Sequence, residues 1–132
     1  MTTSRRASCA CGQLQATANG EPIRVSVCHC FACQKRTGSI FGAQARFARE
    51  QVSVQGASKQ YTRTADSGNK LIFSFCPECG STVHYYLEHI ADVIAIPVGA
   101  FADADFPPPA FSVYESRRHR WADIRAAVQR SD

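Results

Sequence analysis

Seven cysteines fall into three clusters: Cys9 and Cys11; Cys28, Cys30 and Cys33; Cys76 and Cys79. Thiolates are both nucleophiles and soft metal ligands, so such grouping points to disulfides, covalent chemistry or metal binding. Disulfides fit badly. The count is odd, the spacings inside each cluster do not favour pairing, and the start of the chain shows no export signal. Buried thiols that merely fill a core would be scattered rather than clustered. The spacings are those of zinc ligands.

The stretch CPECG (76–80) is a zinc knuckle. Two residues between the cysteines let the chain turn around one metal, Pro77 presets the bend, and Gly80 permits a tight exit. A closed site needs two more ligands, and CACG (9–12) supplies them. In an extended chain residues i and i+2 point the same way, so Cys9 and Cys11 face one metal and Ala10 faces away. Cys9, Cys11, Cys76 and Cys79 then form a structural zinc site that ties the N-terminal segment to a late hairpin.

What remains is CHCFACQKRTGS (28–39). IRVSVC (23–28) leads into it as a strand, so Cys28 and Cys30 point together and His29 points away. Cys33 returns after a two-residue spacer. Three protein ligands and an open position are how catalytic zinc is held. Three thiolates leave such a site formally at −1, which makes the metal a poor activator of water. A soft fourth ligand, an external thiol held as its thiolate, suits it better. His29 is expected to stand behind the ligands, to face a substrate or to be a plain surface histidine, and the alternation argues against it as the fourth donor.

The elements that must position these residues are mostly strands. The 132 residues are 45% hydrophobic and 20% charged, enough for one ordinary domain with one core. IRVSVC places Ile23, Val25 and Val27 on one face, and FGAQARF places Phe41, Ala43, Ala45 and Phe47 on one face. Residues 51–55, 59–63, 70–75, 82–87, 92–98 and 111–114 continue as short segments rich in β-branched or aromatic residues. One helical turn is expected over 32–37. A short C-terminal helix is expected over 121–128, where Trp121, Ile124 and Val128 recur at helical spacing. The expected fold is therefore all-β in a single domain, 1–132, with a core over about 8–124. No apolar run reaches the roughly 20 residues of a membrane span, and MTTSRRASCACG has no apolar core after its arginines, so a cytoplasmic protein is expected.

The order C-x-C, C-x-C-x-x-C, C-x-x-C resembles the glutathione-dependent formaldehyde-activating enzyme family, whose domain also occurs in centromere protein V. FCPECGS (75–81), VGAFAD (98–103) and ESRRHRW (115–121) extend the resemblance from about Ser8 to Ile124. It implies a tent-like β fold related to zinc ribbons and two Zn2+ ions per chain. One is structural, on Cys9, Cys11, Cys76 and Cys79; the other is catalytic, on Cys28, Cys30 and Cys33. It further implies a carbon–sulfur lyase that joins glutathione to formaldehyde, or a related aldehyde, to give S-hydroxymethylglutathione.

Glutathione carries two carboxylates, so Arg36, Lys35 and the Arg117/Arg118/Arg120 group are candidate anchors, with His29 beside them. The net charge of +4 permits an anionic partner without requiring one. A rival reading is a zinc-ribbon-like module that binds nucleic acid or protein without catalysis, using a basic face of Arg24, Lys35, Arg36, Arg46 and Arg49. The reading disfavours nucleic acid, because the aromatics alternate as core residues do. A third reading is a scaffold, which requires a fourth protein donor at the second metal.

Overall fold

A computed structural model describes residues 3–126 and 128–132. Two sheets carry the chain. The smaller has the order β1 (Ser4–Ser8), β2 (Gln15–Asn19), β5 (Val52–Gln55), all antiparallel. The larger has eight strands. Its central run is β3 (Arg24–Cys28), β4 (Gly42–Ala48), β9 (Val93–Pro97), β8 (Thr82–Leu87), β7 (Lys70–Phe75) and β6 (Lys59–Thr64). Beyond β3 lie β10 (Phe111–Val113) and β11 (Gln129–Arg130), paired in parallel. The all-β expectation holds, and no described helix is long and apolar enough to cross a membrane.

Alternation gives the large sheet two different faces. Val25, Ala45, Phe47, Ile94 and Ile96 turn toward the small sheet, where they meet Ala7, Leu14, Ala16 and Ala18 in the main core. The opposite face carries Cys28, Phe73, Tyr85 and Ala95. A bulge lets β8 serve both faces. Ser74 pairs with His84 and Phe75 with Thr82, so Val83 is the extra residue. Val83 drops into the core, and Tyr85 emerges on the other side, tilted against Phe73 at 4.9 Å. Ile23 departs from expectation. It precedes β3 and is 62% exposed, so the core face of this strand rests on Val25 and Val27.

Among the described residues the one α-helix is α1 (Phe31–Thr37), close to the expected turn. The expected C-terminal helix does not form: residues 121–126 are turn and irregular chain, and residue 127 lies outside the described residues. Two causes are visible. The stripe has no apolar surface to cover, since Trp121 is 75% exposed. Backbone carbonyls that a helix would use are taken by side chains instead, Ala122 O by Arg118 and Ile124 O by Arg130. The chain then spends its last residues as β11, with Gln129 N donating to Ala110 O and Ser131 N to Ser112 O.

Gly56, at the end of β5, links this frame to the cysteines. Its φ is +104°, and a Cβ there would lie 2.0 Å from Gln13 O. Gln13 bonds both backbone groups of Ala57 and donates to Cys76 Sγ at 3.0 Å. Gly56→Ala should therefore cost about 2–3 kcal/mol. The urea midpoint should fall with an unchanged slope. An unchanged midpoint would show that the close approach is relaxed in solution.

Candidate metal centre

The cysteines gather as the sequence divides them. The sulfurs of Cys9, Cys11, Cys76 and Cys79 lie within 4.8 Å of one another, and so do those of Cys28, Cys30 and Cys33. In the first group Cys9 and Cys11 are 3.6 Å apart and Cys11 and Cys76 3.7 Å. A disulfide needs about 2.05 Å. Four sulfurs around zinc at about 2.3 Å would sit about 3.8 Å apart. The donor set therefore fits a tetrahedral metal.

Cys9 and Cys11 reach this arrangement through a turn rather than the expected extended strand. Cys9 N donates to Leu14 O and Gly12 N to Cys9 O. Cys76 and Cys79 occupy the matching turn after β7, closed by Gly80 N to Cys76 O. Backbone and side-chain donors point at the sulfurs: Leu14 N at Cys9, and Gln13 Nε2 and Glu78 N at Cys76. Hydrogen bonding with Ser81 brings the Cys79 thiol down to about 5. These contacts favour thiolates, the form that binds metal.

The second group is built by the end of β3 and the start of α1. Cys28 ends the strand, Cys30 caps the helix with its sulfur 3.3 Å from Cys33 N, and Cys33 lies in the first turn. All three are nearly buried. Hydrogen bonding from Cys28 and Cys30, with the Arg36 guanidinium beside it, holds Cys33 at about 5, while the same partnership with Cys33 and burial push Cys28 up. Gly42, opposite Cys28 on β4, makes this possible. A Cβ there would lie 3.2 Å from Arg36 Nη2 and 3.4 Å from Cys33 Cβ. Among the described residues no fourth metal-binding side chain joins the three.

His29 is fully buried rather than at the surface, and it lies outside both sulfur groups. Ser112 gives its hydroxyl proton to Glu115, so His29 Nε2 donates to Ser112 Oγ at 3.0 Å, with Glu115 Oε2 at 3.2 Å. His29 Nδ1 is left without a partner, against Phe41. Burial lowers the imidazole pKa, and a neutral ring agrees with that lone acceptor. Its role is to tie the turn after β3 to β10.

The three thiols open into a cleft of about 270 Å³ on the outer face of the large sheet. Arg24, Arg46, Arg63, Gln44 and Tyr85 line it with them. Burial keeps the Tyr85 hydroxyl protonated well above its usual range. Lys35 lies elsewhere, on a neighbouring apolar cleft of about 480 Å³ floored by Phe73 and Phe75. Arg36 stands at the border, contacting Cys33 and stacked 5.3 Å from both Phe73 and Tyr85. The Arg117 guanidinium lies over Phe31 and Tyr114, outside the thiol group. Arg24 shares the parity of Cys28 along β3, a signal that could have been read for this purpose.

Residues 4–117 match the family described as glutathione-dependent formaldehyde-activating enzyme, and the chain belongs to that family. A crystal structure of a Rhodobacter sphaeroides protein is similar in fold. Its TM-score is 0.59 at 18% sequence identity, covering 76% of this chain and 90% of that one. No curated protein matches the sequence.

The two sulfur groups should separate by mutation. Cys79→Ser opens the four-sulfur group, whose metal affinity is folding free energy, and the protein should unfold or aggregate. Cys30→Ser opens only the group at the cleft; that variant should stay folded and lose one metal ion per chain. Melting temperature and metal analysis check both. Equal loss of stability would show that the second group is structural.

Proposed function

We propose that this family member is a zinc-dependent enzyme of the carbon–sulfur lyase type that adds glutathione to formaldehyde or a related small aldehyde. The observation that carries the reading is the contrast between the two sulfur groups. One has four donors at a joint between sheets; the other has three at the floor of a cleft, with no fourth among the described residues. Zinc held by Cys28, Cys30 and Cys33 with one position open would keep an external thiol ionised near neutral pH.

The chain's own residues supply the rest. Arg36 sets a fixed positive charge beside Cys33. The glutathione sulfur attacks the carbonyl carbon, a C–S bond forms, and the carbonyl π electrons move to oxygen, which takes up the proton that the thiol released. Tyr85, protonated and facing the cleft, is placed to hydrogen-bond that oxygen. The product is the hemithioacetal S-hydroxymethylglutathione. The arginines that a nucleic-acid reading needs at the surface include Arg24 and Arg46, which line this cleft instead.

Purified protein should carry two zinc ions per chain. Titration calorimetry should show glutathione binding to the wild type and none to Cys30→Ser, and NMR should show the adduct from 13C-formaldehyde forming above the uncatalysed rate. Absence of thiol binding to the zinc-loaded wild type would contradict the reading. Tyr85→Phe should keep both zinc ions and bind glutathione, yet turn over roughly 10²-fold more slowly. Unchanged turnover would remove Tyr85 from the reaction.

A further inference from the structure

We infer that Arg24, Arg46 and Arg63 form the subsite in the thiol cleft that holds a carboxylate of the thiol substrate, and so set its preference among thiols. The inference rests on the reading of the cleft as a thiol site. All three arginines line the cleft with the sulfurs, and no aspartate or glutamate does. None is paired with a carboxylate among the described residues.

Arg24 and Arg46 stand directly opposite each other across β3 and β4. In that position Cβ atoms are about 4.5–5.5 Å apart, and like charges are destabilising. Arg24 Nε is buried without a hydrogen-bond partner. The guanidinium is held against the Phe111 ring at 4.0 Å, which orders it but satisfies no N–H. Burial and Arg46 together lower the pKa of Arg24. Two unpaired cations kept side by side, one with a buried unmet donor, call for an anion. Guanidinium forks match carboxylate geometry.

The spacing limits what that anion can be attached to. Arg24 and Cys28 are four residues apart on one strand, about 13 Å between Cα atoms. A two-carbon thiol without a carboxylate can engage only the sulfur end. A peptide of two or three residues, at about 3.5 Å per residue when extended, spans the gap once the arginine side chains reach inward. The subsite therefore favours a thiol that also carries a carboxylate. It also replaces Lys35, which faces the neighbouring cleft, as the anchor.

The test uses four probes on zinc-loaded wild type and Arg24→Gln: glutathione, its diethyl ester, 2-mercaptoethanol and S-methylglutathione. Calorimetry should show wild type preferring glutathione to the diester by about ten- to hundredfold. In Arg24→Gln that preference should collapse, and the ratio of glutathione to 2-mercaptoethanol affinity should fall by the same factor. The variant should melt no lower than wild type, because a like-charge pair has been relieved. S-methylglutathione cannot act as a thiolate but keeps both carboxylates. Its NMR-detected binding to wild type and loss in Arg24→Gln would support the subsite even if no free thiol bound the metal. Equal affinity of wild type for glutathione and its diester, or S-methylglutathione binding indifferent to Arg24, would overturn the inference. Failure of 2-mercaptoethanol and glutathione alike to bind wild type would instead strike at the thiol reading of the zinc.

Discussion

The turn after β1 and the turn after β7 belong to different sheets, yet Cys9 and Cys11 from one meet Cys76 and Cys79 from the other within 4.8 Å. Four thiolates cannot share that volume without a cation, because mutual repulsion would force most of them to stay protonated. A metal there would turn repulsion into closure, and small domains gain folding free energy from such a joint. Leu14, Ala16 and Ala18 can cover Phe47 and Ile96 only while the small sheet is held against the large one.

Fixing one face of the large sheet in that way leaves the other free for chemistry. Cys28, Arg24 and Ser26 share a face because strand residues alternate, and Gln44 and Arg46 join them from β4. Gly42 gives up a side chain so that Arg36 can approach Cys33. The bulge at Val83 brings Tyr85 to the same side without leaving a hole in the core. Each feature serves position rather than packing.

The division of the cysteines was legible in the sequence because metal ligands must sit at spacings that let a chain turn around one ion. The central strands were legible from their alternation. Three strands were not. β1 (SRRAS) and β2 (QATAN) lack large apolar residues, and the two-residue β11 is defined only by its parallel partner β10. The C-terminal helix was misread because Trp121, Ile124 and Val128 have the right spacing but no surface to bury against. His29 lies outside both sulfur groups, and its burial against Ser112 and Glu115 was not legible because it depends on β10, more than 80 residues further along the chain. The arginine cluster was hidden because Arg24, Arg46 and Arg63 come from three strands whose order a sequence does not print.

The central claim is that one metal is closed and the other keeps a position for an external thiol. Zinc X-ray absorption with a selenol analogue of glutathione addresses it directly, since selenium scatters distinctly from sulfur. With both zinc ions bound, the account predicts one selenium neighbour for every two zinc ions, and none in Cys30→Ser. A spectrum fitted by sulfur alone at both ions in the presence of saturating selenol would contradict it.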